Sequence, residues 1–203
     1  MPPTVPQHSR AQAEDVLGQD DPRRLRLQEI IRVHSLKTGA FTLSSGRQST
    51  YLFQLRQTTL LPEGAALIAE IIVEYMRGQN IASIGGLEMG AVPIVSAVAA
   101  LSHFKNHPVG AFFVRKAQKE HGARERIDGH LRHGGEVLMV DDVATTGGSI
   151  LKAIEGMKEE YLETRVRRAL AIIDREEGAA QNLLAQGITL AAILKRSDFP
   201  EIF

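Results

Sequence analysis

The chain has 203 residues with equal numbers of basic and acidic side chains, 24 of each, so its formal net charge is zero. It contains no cysteine, which excludes a disulfide framework, a thiolate nucleophile and a zinc or iron–sulfur site held by cysteine. Nucleic-acid-binding domains usually carry a basic excess, so any site for a polyanion must here be a local cluster. The length and a hydrophobic fraction of 43% are typical of one globular domain.

The beginning of the chain is rich in proline and polar residues and lacks the apolar stretch of a secretory signal. We therefore expect residues 1–20 to form a disordered or loosely docked tail ahead of a single domain at 21–203. The longest apolar stretch, residues 90–101, has about 12 residues, whereas a membrane span needs roughly 20. These features predict a cytoplasmic protein that binds neither membranes nor nucleic acid.

The first predicted elements in chain order are a helix, a hairpin and a second helix. Asp21 and Pro22 are typical of the cap and first residue of a helix, and Gly39 is expected to end it. Residues 41–55 place β-branched and aromatic residues on both sides of a glycine turn, which predicts a β-hairpin. A second helix is expected from Pro62 to shortly before residue 78.

The remaining sequence alternates between short apolar runs and helical segments. The predicted strands are 81–84, 109–114, 137–140, 169–173 and 188–194, and the predicted helices are about 91–104, 148–162 and 177–186. Apolar residues follow one another directly within the strands, which is typical of strands buried on both faces. The pattern therefore predicts an α/β fold with a largely parallel sheet, helices on both faces, and ligands beyond the carboxyl ends of the strands.

The segment 137–149 carries the clearest chemistry. Its predicted strand ends in Asp141 and Asp142, and a loop of hydroxyl residues and glycines leads to a helix that starts near Ser149. The glycines let backbone N–H groups approach a ligand, and with the helix N-terminus they suit a phosphate monoester. Two adjacent carboxylates would repel that phosphate but suit a neighbouring diol or a hydrated Mg²⁺, so the segment fits a phosphorylated ribose. The alternative, that both acids merely cap the helix, is disfavoured because one acid suffices for a cap.

A second chemical feature is the long polar segment 115–133. It holds six basic residues against three acids, and it is much longer than the usual connection of about 2–6 residues in α/β domains. Composition leaves two interpretations equally open: a cationic loop that closes over a pyrophosphate, and a solvated run of charges. A zinc site at His121, His130 and His133 is disfavoured because no carboxylate or cysteine completes a ligand spacing.

Residues 137–149, with four apolar residues, two acids and a Thr/Gly run, closely resemble the phosphoribosyl pyrophosphate (PRPP) motif of the type I phosphoribosyltransferases. Three further segments are similar to the orotate phosphoribosyltransferases: 41–49 (FTLSSGRQS), 115–122 (RKAQKEHG) and 172–178 (IIDREEG). The resemblance spans roughly residues 22–200. It implies a twisted parallel sheet with a small hood, to which residues 21–60 contribute, with PRPP and orotate as substrates and Mg²⁺ as cofactor.

The resemblance also implies roles for residues of the loop. Arg115, Lys119 and His121 are implied to be catalytic, and together with Lys116 they would contact the pyrophosphate of PRPP. The loop 115–133 would reach into the neighbouring subunit, which implies a homodimer. Electrostatic stabilisation of the departing pyrophosphate is the chemistry that such cations supply.

Further implied roles belong to the ribose and the base. Asp141 and Asp142 would face the ribose hydroxyls near Mg²⁺, Thr145 would lie near both ligands, and Arg175 would hold the orotate carboxylate. A planar guanidinium matches a carboxylate, although Arg175 is also placed for a surface ion pair with Glu176 or Glu177. The complete PRPP-binding segment is implied to be Asp141, Asp142, Val143, Ala144, Thr145, Thr146, Gly147, Gly148 and Ser149.

Two positions depart from the family pattern. Ser44 stands where many members have lysine, and Glu88 with Met89 stands where many have an aromatic residue and lysine. The implied reaction transfers phosphoribosyl from PRPP to N1 of orotate, giving orotidine 5′-monophosphate and pyrophosphate, in de novo pyrimidine (UMP) biosynthesis. The alternatives are a phosphoribosyltransferase for another base, which Arg175 and the hairpin disfavour, and a PRPP-sensing regulator on the same fold.

Overall fold

The computed structural model describes residues 11–42, 48–117 and 125–202. Its strands are β1 (Glu14–Asp15), β2 (Leu36–Thr42), β3 (Gln48–Phe53), β4 (Ile81–Leu87), β5 (Gly110–Val114), β6 (Ile127–Gly129), β7 (Glu136–Ala144), β8 (Arg165–Asp174) and β9 (Thr189–Lys195). Its helices are α1 (Pro22–His34), α2 (Arg56–Thr59), α3 (Pro62–Met76), α4 (Ala91–Phe104), α5 (Gly148–Lys158) and α6 (Ala179–Leu184). The hairpin β2–β3 is antiparallel, and the other strands form one sheet in the order β1-β9-β8-β7-β4-β5-β6. Every neighbouring pair in this sheet is parallel except β5 and β6, as expected for a largely parallel sheet.

The central strands are buried on both faces, and helices cover both. Leu138 and Val140 of β7 belong to a core that includes side chains of α1, α3 and α4. Val137 and Met139 of the same strand belong to a second core with α5 and α6, because successive side chains of a strand point to opposite faces. Burying each such aliphatic side chain stabilises the fold by about 1.5–3 kcal/mol. This two-sided burial confirms the prediction made from the uninterrupted apolar runs.

The first helix is shorter than predicted. It ends at His34, where the backbone N–H of Ser35 donates to the carbonyl of Ile31 at 2.8 Å, rather than near Gly39. Gly39 lies instead within β2, at a register shift in the pairing with β3, and its φ of 148° is one that glycine adopts readily. The glycine therefore serves an irregularity of the hairpin, and the prediction that it ends the helix was wrong.

The hairpin β2–β3 is joined to the rest of the domain by a row of aromatic rings. The Tyr51 and Phe53 rings lie edge to face with centroids 5.5 Å apart, and Phe53 meets Phe199 in the same manner at 5.2 Å. All three side chains are buried. Edge-to-face pairs add about 0.5–1.5 kcal/mol beyond burial of their area. The rings thus fix the hairpin over the carboxyl end of the sheet.

The segment predicted as one long loop from 115 to 133 contains a strand. Residues 127–129 form β6, which pairs antiparallel with β5, and Ile127 and Leu131 are buried. The prediction of a continuous loop was therefore wrong beyond residue 126. The strand was not predicted because it is short, contributes few apolar residues and lies among charged residues.

Part of the segment predicted as a disordered or loosely docked tail lies against the sheet edge. Residues 14 and 15 form β1, parallel to β9, and the Asp15 carboxylate pairs with Lys195 Nζ at 2.9 Å. Ala13, just before this strand, is buried. Among the described residues, no helix combines the length and apolar character that a membrane span requires.

Candidate active site

The two aspartates singled out in the sequence lie inside a strand rather than after it. β7 continues to Ala144, which pairs with Asp174 of β8, while Asp141 pairs with Ala171. The strand was predicted to end at residue 140 because its polar residues do not look like a buried core. Backbone pairing with β8 extends it, so the carboxylates are held at the carboxyl edge of the sheet by main-chain hydrogen bonds.

Asp141 and Asp142 are in contrasting surroundings. Asp141 is 8% exposed, and one oxygen of its carboxylate accepts from the Asp142 N–H at 3.0 Å. An Asp142 oxygen accepts in turn from the N–H of Val143 at 2.9 Å. Burial raises the pKa of Asp141 well above its ordinary value, the charge of Asp142 raises it further, and the charge of Lys116 opposes both. Cationic charge near this carboxyl therefore favours its ionised form.

A cavity of about 320 Å³ opens beside these two aspartates. It is lined by Arg56, Leu87, Glu88, Met89, Gly90, Lys116, Asp141, Asp142 and Ser149. Four of the residues predicted to bind PRPP therefore share one cavity, at the end of the sheet where the prediction placed ligands. Gly90 packs so closely that a Cβ there would lie 2.7 Å from Asp142 Oδ1.

Arg56 lines the cavity although no sequence pattern predicted it as a site residue. It opens the short helix α2, its side chain is exposed, and the Lys116 side chain lines the same space. It belongs to none of the four motifs, and nothing in its immediate neighbourhood marks it as part of a site. Only the packing of α2 against α1, α3 and α4 brings it to the cavity.

Glu88, at the position where many family members have an aromatic residue, fastens the beginning of the cationic loop. Its side-chain Oε1 accepts from the N–H of Lys116 at 2.8 Å, and its own N–H donates to the Val114 carbonyl at 2.9 Å. The glutamate thus orders the backbone from which Lys116 extends into the cavity.

The structure does not bring every predicted loop residue to the cavity. Arg115 forms an ion pair with Asp128 of β6, and its N–H donates to the Arg126 carbonyl at 2.8 Å. Lys119 and His121 lie outside the described residues, as does Ser44. The roles of these residues therefore stay predictions.

The segment after the aspartates turns sharply into α5. Gly147 has a φ of 79°, a left-handed conformation that favours glycine, and the helix begins at Gly148. The Thr146 carbonyl accepts from Asn182 Nδ2 at 2.9 Å, which ties the loop to α6. Among the described residues of this segment beyond Asp142, Ser149 is the one that lines the cavity. Thr145, predicted to lie near both ligands, is half-buried in the turn itself.

A second and larger cavity, of about 500 Å³, lies under the hairpin. It is lined by Ala40, Gln48, Ser49, Thr50, Tyr51, Arg175, Glu177 and Arg196. Arg175 is 6% exposed, and its N–H donates to the Ala144 carbonyl of β7 at 2.9 Å, so its backbone adjoins the PRPP segment. Its guanidinium also pairs with Glu177 at 2.9 Å. Arg175 thus lines a cavity and forms one of the two ion pairs considered from the sequence.

The parallel sheet, the acid pair before a glycine turn and the covering hairpin together define a phosphoribosyltransferase domain. Residues 56–190 match the phosphoribosyl transferase domain family. An orotate phosphoribosyltransferase of Rhodopseudomonas palustris (strain TIE-1) is 47% identical over 180 residues, covering 87% of this chain and 95% of that one. The chain therefore belongs to the orotate phosphoribosyltransferase family.

Solved structures agree with this placement. The Mycobacterium tuberculosis H37Rv orotate phosphoribosyltransferase in complex with Fe(III) dicitrate superimposes with a TM-score of 0.77 at 35% identity, covering 88% of this chain and 99% of that one. The same organism's enzyme in complex with PRPP gives a TM-score of 0.72 at 33% identity, covering 87% and 98% of the two chains. The predicted fold and family are confirmed.

Proposed function

We propose that this chain transfers the phosphoribosyl group of PRPP to N1 of orotate with the aid of Mg²⁺, giving orotidine 5′-monophosphate and pyrophosphate for pyrimidine biosynthesis. The observation that carries the proposal is the pair of cavities at the carboxyl edge of the sheet. One contains the two aspartates and Lys116, and the other contains Arg175. The hydrogen bond from Arg175 N to the Ala144 carbonyl, 2.9 Å long, connects the segments that line them.

The first cavity and the turn beside it provide the groups that PRPP requires. Asp141 and Asp142 accept hydrogen bonds from the 2- and 3-hydroxyls of the ribose. The 5-phosphate takes the glycine turn at Gly147 and the start of α5, because unpaired N–H groups and the helix dipole attract an anion there. Lys116 and Arg56 add positive charge for the pyrophosphate on the cavity side.

The donor set fits a magnesium ion that PRPP itself helps to hold. Two adjacent carboxylates line the cavity, and the described residues contain no group of three or more side chains suited to hold a metal. Mg²⁺ usually binds through one or two carboxylates and keeps water and phosphate oxygens as its other ligands. Asp141 and Asp142 would hold it, and when bound it would supply positive charge to the departing pyrophosphate. Positive charge would also favour the ionised form of Asp141, whose pKa burial raises.

The chain's own residues perform the rest of the reaction. The bond from C1 of the ribose to the pyrophosphate oxygen breaks, C1 takes on oxocarbenium character, and the N1 anion of orotate forms the new bond. Lys119, Arg115 and His121 would stabilise the pyrophosphate. To do so, Arg115 would leave its ion pair with Asp128 and bind the pyrophosphate instead. Arg175 holds the orotate carboxylate, and the loop excludes water that would otherwise trap C1. Orotate reacts as its N1 anion, whose proton passes to solvent before the transfer, so no general base of the protein is required.

The proposal is tested by the loss of orotate absorbance when PRPP and Mg²⁺ are added, with uracil, hypoxanthine and guanine as competing bases. We expect conversion of orotate alone. The Lys119→Ala variant should lose about 10²–10³-fold in kcat, the scale of one lost electrostatic donor. The control is Lys152→Ala on the exposed side of α5, which should keep wild-type turnover. Conversion of a purine in place of orotate, or PRPP binding without any base consumed, would refute the proposed reaction.

We further propose that the enzyme acts in the cytoplasm as a homodimer whose loop 115–133 completes the neighbouring site. The resemblance of residues 115–122 to the family's loop supports this arrangement. Mixing inactive Lys119→Ala with inactive Asp142→Asn tests it, because an exchanged loop rebuilds one intact site in each mixed dimer. Activity should return to about a quarter of the wild-type level if subunits exchange at random and sites are shared. No recovery after demonstrated subunit exchange would refute the shared site.

A further inference from the structure

We propose that Tyr51 is a positioning residue that orients the guanidinium of Arg175 toward orotate, an inference that rests on the proposed function. Tyr51 comes from β3 of the hairpin and Arg175 follows β8, so the fold brings two distant segments together in the larger cavity. Arg175 Cζ lies 4.6 Å from the centre of the Tyr51 ring. This is well within the range of about 6 Å over which a cation is attracted to an aromatic face.

Burial makes this contact consequential. Tyr51 is 5% exposed and Arg175 is 6% exposed, so water contributes little to holding the charge. Attraction between a cation and a ring is strongest where both are desolvated. The Arg175 Nη2 pairs with Glu177 at 2.9 Å, whereas its Nε is buried and has no hydrogen-bond partner among the residues that the structure describes. A buried donor with no partner points to an acceptor that a ligand supplies.

The ring also fixes the plane of the guanidinium. A carboxylate accepts two parallel N–H bonds only when the guanidinium plane is aligned with it. With one face covered by Tyr51 and one nitrogen paired with Glu177, the guanidinium has little freedom to rotate. Its remaining donors are therefore oriented before orotate arrives, which lowers the entropy lost on binding.

A second guanidinium lies near the same ring. Arg196 Cζ is 5.8 Å from the Tyr51 centroid, and Arg196 lines the cavity with Arg175 and Glu177. Two cations and one anion give the wall a net positive charge. Such a wall suits a substrate that carries a single carboxylate more than it suits a neutral base.

Tyr51 is also a core residue, packed against Phe53 at 5.5 Å, so the test must separate positioning from packing. Tyr51→Leu keeps an apolar side chain and removes the ring, and Tyr51→Phe keeps the ring and removes only the hydroxyl. Phe53→Leu is the matched control, because it removes the next ring on the same strand, which packs against Tyr51 and Phe199. KM for orotate, KM for PRPP and the thermal midpoint are measured for each variant.

We expect Tyr51→Leu to raise KM for orotate about tenfold, on the scale of a desolvated cation–π contact, with KM for PRPP within about twofold of wild type. Tyr51→Phe should restore the orotate KM. Phe53→Leu should lower the thermal midpoint and leave the orotate KM unchanged. If Tyr51→Leu does not fold, Tyr51→Met, which also lacks a ring but has a longer and more flexible side chain, is measured in its place.

A wild-type orotate KM in the folded ringless variant would overturn the inference, and so would an equal rise in Phe53→Leu or a failure of Tyr51→Phe to restore binding. These outcomes are distinct from failure of the proposed function. If the proposed function fails, the wild-type protein itself does not consume orotate. A wild-type enzyme that converts orotate with an unaltered KM in Tyr51→Leu would therefore refute only the role of Tyr51.

Discussion

Replacing Gly90 by alanine tests how closely the first cavity must hold its carboxylates. Gly90 has φ −58° and ψ −43°, an ordinary right-handed conformation that alanine adopts without strain. The new Cβ, however, would lie 2.7 Å from Asp142 Oδ1 and 3.0 Å from Asp142 Cγ. Because a carbon and an oxygen in contact are about 3.3–3.6 Å apart, the carboxylate must move by about 0.7 Å.

Such a displacement should reduce catalysis with PRPP far more than it changes the stability of the fold. A misplacement on the order of 1 Å at a reacting centre can reduce rates about 10²-fold, so kcat/KM for PRPP should fall about 10–100-fold. The corresponding loss of transition-state stabilisation is about 1.4–2.7 kcal/mol. The thermal midpoint should stay level or rise, because alanine restricts the unfolded chain more than glycine does.

The measurement is orotate consumption at varied PRPP, with Gly18→Ala as the matched control. A Cβ at Gly18 would meet no atom of the described residues within 4 Å, so this variant should behave as wild type. If Gly90→Ala folds normally and keeps kcat/KM for PRPP within about twofold of wild type, catalysis does not require Asp142 to stay in this position.

Three further predictions concern stability and pH. Asp141→Asn should raise the thermal midpoint of the ligand-free protein, because burial raises the pKa of Asp141 and its ionisation therefore disfavours the fold. The same variant should abolish PRPP binding in calorimetry. The gain in thermal midpoint should grow as pH rises above about 4, and an unchanged midpoint at pH 8 would contradict this prediction. Asp198→Ala should lower the free energy of unfolding measured in urea by about 3–5 kcal/mol, because Asp198 Oδ2 accepts from buried Arg24 at 2.6 Å and from the Lys195 N–H at 2.7 Å. A loss below about 1 kcal/mol would show that the ion pair of Arg24 with Asp198 is dispensable. Asp21→Ala should lower the free energy of unfolding by about 1 kcal/mol near pH 7, because Asp21 caps α1. Hydrogen bonding to Arg23 lowers the pKa of Asp21 to about 2, so this stabilisation is complete above about pH 4 and is lost as pH falls through about 2. A cost that does not shrink in acid would contradict the assignment.

Several features of the fold and the site were predictable because their signals are local. The apolar runs before Asp141 and before Asp174 indicated strands buried on both faces, and two cores packed against β7 confirm it. The glycine turn at 147 was marked by residues that follow one another in the chain. Errors arose where local signals conflict, as at Gly39, which suits the end of a helix and the irregular hairpin equally well.

The sequence by itself determined the fold class, the acid pair and the glycine turn, because each depends on residues that are neighbours along the chain. Only the tertiary structure brought Arg56 to the two aspartates and placed the Tyr51 ring on Arg175. It likewise paired Arg115 with Asp128, which lies in a strand that was not predicted from the sequence. Contacts of this kind join segments far apart in the chain, and they exist only once the burial of the two cores has fixed where each strand and helix ends.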